Sequence, residues 1–229
     1  MRIFVETRRR AIYLSGVILL LLMSLCGRTF AEDEEILPGR TEEPSDGCVW
    51  IGVYGDYCGD QQETLDRINQ IRYEACIEGI PDPRNPSRSL QPSDYKALKW
   101  SSSLEETARI RVSEALYIIA HARHNGKEIG TANGTVFANA EDIAWNYGKS
   151  MVDGINQWYS EKEEWLKEVA GEEHDQTGHY TSMINPNYRY VGVGTIYSSS
   201  GLYPNATVGK LSSTTSSVDE SFLPLYSGI

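Results

Sequence analysis

Basic residues are in short supply. In 229 residues, 21 Lys and Arg face 32 Asp and Glu, a net charge of −11. Such a surface repels phosphate, and no cluster of Lys and Arg in the body of the chain offsets it, so nucleic acid is excluded as a partner. Cysteine is scarce too, with four residues and no Cys-x-x-Cys pair, which excludes a dithiol redox motif. Histidine numbers four: His121, His124, His174 and His179. None stands in a His-Glu-x-x-His arrangement, and there is neither a Gly-x-Ser-x-Gly elbow nor a phosphate-cradling Gly-rich loop. Zinc proteases, serine hydrolases and nucleotide-binding enzymes of the ordinary kinds are thereby set aside.

What is present suffices for a fold. Hydrophobic residues make up 40% and aromatics 10%, enough to bury one sizeable core, and the length leaves no room for two full domains. The single long apolar run, Ala11 to Cys26, follows Arg8-Arg9-Arg10 and precedes Thr29-Phe30-Ala31. It is short for a bilayer, which wants about 20 apolar residues, so residues 1–31 read as a signal peptide cut after Ala31. The expected product is secreted, with no transmembrane segment. Five Arg and one Glu leave with the peptide, so 16 basic and 31 acidic residues remain and the net charge falls to −15. Of the three cysteines left, Cys48 and Cys58 are spaced to close a small loop, whereas Cys76 shares a helical face with Leu65, Ile68 and Arg72 and reads as buried.

Residues 32–59 read as a flexible acidic leader. Asp60-Gln-Gln-Glu63 resembles a capping box opening a helix to about Glu78, stopped by Gly79 and Pro81. Ser103 is the expected cap of a second helix carrying Leu104, Ala108, Val112, Ala115, Ile119 and Ala122, closed by Asn125-Gly126. A third helix is expected from about Ser150 to Val169, buried through Ile155, Trp158, Trp165 and Val169. Two strand-like runs, Tyr188 to Ser198 and Leu202 to Leu211, meet through Ser199-Ser200-Gly201, and residues 213–229 form a tail or final strand. Helices with a meander of strands give an α+β layered domain over residues 60–212.

Read singly, the histidines offer little: His121 and His124 sit three apart near a helix end, and His174-Asp175 and His179 share a polar turn. In combination they say more. Gly178-His-Tyr-Thr-Ser-Met-Ile-Asn185, followed by Tyr190-Val-Gly-Val-Gly194, closely resembles the Gly-His-[Phe/Tyr]-Thr signature of the CAP superfamily, the cysteine-rich secretory, antigen 5 and pathogenesis-related-1 proteins, also called SCP domains. In the family's order come Ala120-His121, Ala140-Glu-Asp-Ile-Ala-Trp145 and Trp158-Tyr-Ser-Glu161. Leu65 to Arg72, Leu98-Lys-Trp100 and Leu104 to Ala108 resemble its opening, so the likeness spans roughly Leu65 to Lys210. Met183-Ile-Asn-Pro186 resembles versions from anaerobic Gram-positive bacteria.

The resemblance implies a three-layer α-β-α sandwich in which His121, Glu141, Glu161 and His179 meet at a cleft floor. Such a set suits Zn²⁺ or, more weakly, Mg²⁺. It also implies a binding module for lipid, glycan or a cell-surface protein. Two alternatives remain open: a zinc-dependent hydrolase with Glu161 or Glu141 as general base, and a structural domain whose cleft is vestigial. Two departures bear on the site. The family's Gly-Glu-Asn is Ala140-Glu141-Asp142 here, which adds a carboxylate beside Glu141, and its Trp after the Gly-His motif is Asn185.

Overall fold

The computed structural model describes residues 2–8, 48–123, 126, 138–199, 203–214 and 221–225, the first seven and residues 48–51 as backbone. The apolar run, the cleavage position, His124 and the tip of the last hairpin lie outside the described residues.

Val49-Trp-Ile-Gly-Val-Tyr54 is rich in β-branched and aromatic residues, and such side chains favour extended backbone over the looseness that acidic composition suggests. Cys48–Tyr54 (β2) accordingly pairs antiparallel with Arg2–Arg8 (β1), from Arg2↔Tyr54 to Arg8↔Cys48. Asp56–Tyr57 (β3) then joins the main sheet. The leader expected over residues 32–59 thus ends in two strands, and β1 lies within the span read as a signal peptide.

The first helix, α1 (Gln61–Glu78), ends as its sequence requires: Gly79 takes φ 69°, a left-handed conformation that glycine adopts without strain. Its start differs from the expected capping box. The Asp60 carboxylate accepts instead from the Met151 N–H at 3.0 Å, capping a different helix. Two short strands, β4 (Pro81–Asp82) and β5 (Asn85–Ser89), form a ribbon, and β6 (Lys99–Trp100) leads to α2 (Ser102–Ala115). Ser101 rather than Ser103 caps α2. The helix stops at Ala115, with Ile119 half exposed, because Arg123 and His121 leave the helix axis to pair with carboxylates described below.

β7 (Ala140–Asn146), β8 (Tyr190–Tyr197) and β9 (Asn205–Ser212) make an antiparallel sheet in the order β8-β9-β7, with β3 and β6 along the outer side of β8. Alternation along these strands sorts residues to two faces. On one face Ile143, Ile196 and Val208 pack against Ala108, Val112 and Ala115 of α2. On the other, Val191, Val193, Leu211 and Ala144 pack against α1, α3 (Met151–Tyr159) and α5 (Gly178–Ile184) through Ile68, Ile71, Ile155, Trp158, Tyr180 and Met183. The architecture is the α-β-α sandwich that the sequence implied.

Two further details position the site. The expected third helix is two, α3 and α4 (Lys162–Ala170), broken at Ser160-Glu161, where the Ser160 hydroxyl donates to the Gln157 carbonyl at 2.7 Å. Arg72, buried on α1, donates to the Met183 and Asn185 carbonyls at 2.5 and 3.1 Å and to Lys96 O at 3.0 Å, fixing the C-terminal end of α5. Burial lowers the Arg72 guanidinium to about 10, which leaves it charged at neutral pH.

Candidate functional site

A cleft of ≈ 510 Å³ opens over the edge strand β7, lined by His121, Glu141, Asp142, Gln176, His179 and Ser182 among others. Its two histidines arrive from opposite layers. His121 follows α2; His179 is the second residue of α5. Their ring centroids lie 6.5 Å apart.

On the α2 side, His121 Nδ1 stands 3.0 Å from Glu141 Oε1. The Glu141 side chain is only 2% exposed and sits in a knot of charge. Arg111 binds it through Nε at 2.8 Å and through Nη2 at 3.0 Å, a bidentate pair, and Lys210 Nζ donates to its Oε2. Arg111 Nη1 also holds Glu114 at 2.6 Å, and Glu114 in turn accepts from Arg123 at 2.6 Å. Burial opposes ionisation of Glu141, but the hydrogen bonds from His121 and Arg111 and the charge of Lys210 outweigh it and hold the carboxyl at about 2. Lys210 responds in the other direction. Its burial, only partly offset by Glu141, lowers the ammonium to about 8.

On the opposite side, Glu161 reaches from the α3–α4 break to the start of α5. It accepts from the His179 and Tyr180 N–H groups at 2.9 and 3.2 Å and lies 2.5 Å from His179 Nδ1. Two N–H groups that a helix start leaves orphaned are thereby satisfied. Trp158 stacks on His179 with centroids 6.2 Å apart. Each histidine therefore carries a carboxylate on Nδ1. An Nδ1–H donated to that carboxylate leaves Nε2 as the ring nitrogen available to a ligand.

The four residues singled out by sequence converge, but as two His–Glu pairs rather than four equivalent groups. Among the described residues no set of three or more His, Cys, Asp or Glu is arranged to hold a metal ion. His174 stays exposed, its Nδ1 on the Asp175 carbonyl at 2.7 Å. Asp142, the added carboxylate, faces away from Glu141 because neighbours in a strand point to opposite faces. It is 3% exposed at the cleft, its Oδ2 has no hydrogen-bond partner, and burial foremost, then the Glu161 and Glu141 charges, push its carboxyl well above the ordinary range. The Cys58 and Cys76 thiols are free, and burial pushes Cys58 up to about 11. Sequence reading missed Arg111, Glu114, Arg123 and Lys210. A charged i, i+3 pair, Arg111 and Glu114, in a helix otherwise striped with small apolar residues was the available signal.

The sequence profile of the cysteine-rich secretory protein family, CAP, matches residues 65–211. The chain belongs to this family. Venom allergen 5 of Polistes dominula is 20% identical over 162 residues, covering 69% of both chains. Venom allergen 5 of Vespula flavopilosa is 24% identical over 160 residues, covering 67% of this chain and 74% of its own. Among solved structures, BmVAL-1 is similar at 15% identity and a TM-score of 0.47, over 68% of this chain and 77% of its own. NaASP2 with Zn²⁺ is similar at 16% and 0.44, over 69% and 86%. In this CAP domain the Tyr190-Val-Gly-Val-Gly194 motif has a packing reason: a Cβ on Gly192 would stand 2.1 Å from Glu105 N, and one on Gly194 2.7 Å from Arg109 N, so α2 lies directly on β8. No helix among the described residues is long and apolar enough to cross a membrane.

Proposed function

We propose that this CAP-domain protein is exported and acts as a binding module, with a divalent cation held between His121 and His179 and a lipid, glycan or cell-surface protein engaged at the cleft mouth. The observation that carries the metal reading is the pair of Nδ1–carboxylate contacts, which orient both imidazoles and leave their Nε2 atoms for a ligand in the one cavity they line. Imidazole nitrogen favours Zn²⁺ over Mg²⁺, and the Glu141 oxygens already carry four contacts from donors. Two protein ligands leave the remaining coordination positions to water or to an incoming ligand. The acidic balance of the chain favours neutral or cationic partners.

The same contacts weigh against the hydrolase alternative. A general base needs a free lone pair and a pKa near the working pH, whereas Glu141 lies at about 2 and Glu161 accepts three hydrogen bonds. Isothermal titration with Zn²⁺ tests the proposal. Wild-type protein is expected to take up one ion, and His179→Ala to bind at least tenfold more weakly with its circular dichroism unchanged, a loss typical of a missing ligand or orienting partner. Superimposable titrations would leave the His–Glu pairs as structural braces.

A further inference from the structure

A second built site lies at the N-terminal end of α2, away from the histidines. Four side chains converge there, each more than nine-tenths buried: Gln61, Trp100, Glu105 and Arg109. Glu105 Oε2 accepts from Trp100 Nε1 at 2.6 Å, and its Oε1 accepts from Arg109 Nη2 at 2.6 Å and from Gln61 Nε2 at 3.3 Å. All three polar groups also bond the main chain of a segment more than a hundred residues later. Leu223 N–H donates to Glu105 Oε2 at 2.9 Å. The Leu223 carbonyl accepts from Gln61 at 3.2 Å and from Arg109 at 3.0 Å, and the Pro224 carbonyl accepts from Arg109 Nη1 at 2.9 Å.

The segment itself lies on the surface. Ser221, Pro224 and Leu225 are exposed, and only Phe222 and Leu223 are partly covered. Phe222 meets Trp100 edge to face, with centroids 5.2 Å apart, and Leu225 lies over Gly59, where a Cβ would stand 2.4 Å from its Cδ1. Buried polar groups read main-chain atoms, one aromatic packs on Trp100, Leu225 rests on Gly59, and Ser221 and Pro224 are exposed. Bound peptides are held in this way; core strands are not. Residues 221–225 belong to no strand of any sheet among the described residues.

We propose that Gln61, Trp100, Glu105 and Arg109 form a peptide-binding groove that holds the chain's own segment Ser221–Leu225 as an exchangeable ligand. The ligand class follows from the contacts: an extended peptide presenting an aromatic residue, then a residue with a free N–H, then a carbonyl pair. In cis the attachment supplies a high effective concentration, so the groove is filled by its own tail in the intact chain.

The experiment keeps the whole chain and makes the tether cuttable, with a protease recognition sequence in place of residues 215–220. After cleavage and dilution, a fluorescein-labelled peptide of residues 221–229 is titrated in and followed by anisotropy. Saturable binding is expected, and a peptide N-methylated at Leu223, which lacks the donor to Glu105, should bind at least tenfold more weakly because a hydrogen bond to a charged group is lost. Three outcomes would overturn the proposal: a cleaved body with intact near-ultraviolet circular dichroism that takes up no peptide, equal affinity for the N-methylated peptide, or collapse of the body once the tail is diluted away. The last would make the segment an integral part of the core.

Discussion

Glu141→Ala should lower the unfolding free energy by roughly 3–5 kcal/mol, the cost of breaking a buried ion pair from one side. Arg111 and Lys210, 1% and 0% exposed, would be left facing each other without their shared anion. Urea denaturation reads the change as a lower midpoint at constant m-value. Adding Lys210→Met to Glu141→Ala removes one of the stranded cations and should recover part of the loss, a non-additivity expected for side chains in contact. The pH dependence carries a sign. The Glu141 carboxyl is held at about 2 against an ordinary 4.5, so the unfolded chain binds its proton first. Its stabilising contribution is complete above about pH 4.5 and disappears as pH falls toward 2. Lys210, lowered to about 8 from 10.5, gives up its proton first in the folded state, so between those values stability climbs with pH. Glu141→Ala should abolish this carboxyl's share of the acid limb; an unchanged acid limb would mean that Glu141 is not held down by the knot.

Gly192→Ala is expected to cost about 3 kcal/mol or more, at the upper end of overpacking penalties, because the added methyl meets backbone on the facing helix. Its Cβ would lie 2.1 Å from Glu105 N and 2.4 Å from Leu104 C, atoms that cannot rotate aside, so α2 must lift from β8. Gly178→Ala is the matched control. Nothing lies within 4 Å of its Cβ, and its effect should stay within about 0.5 kcal/mol. Equal effects from the two substitutions would refute the close approach of α2 to the sheet.

The layers were legible because periodicity reports burial. Leu104, Ala108, Val112 and Ala115 are all buried, as their spacing requires, and β8 and β9 fall within a few residues of their apolar runs. The meeting of His121, Glu141, Glu161 and His179 was expected from resemblance alone, and their division into two His–Glu pairs was not expected at all; no local spacing shows that residues 20 and 18 apart will touch. Lys210 was invisible for a definite reason. In Val208-Gly-Lys210 it shares a face with Val208, which packs under α2, but a lysine in a strand reads by residue type as facing water. The end of α2 was misread because tertiary ion pairs of His121 and Arg123 override the apolar spacing of Ile119 and Ala122. The break at Ser160-Glu161 was missed because a serine that back-bonds and a glutamate that turns to cap α5 look, in sequence, like an ordinary solvated helical turn.

The two rings answer to different storeys of the sandwich, one suspended from α2 above the sheet and the other seated on the helices beneath. Their gap is therefore a caliper on how far those storeys stand apart. Any occupant that grips both nitrogens works as a rivet through the open side of β7, and it should stiffen the whole stack rather than only the crevice it fills.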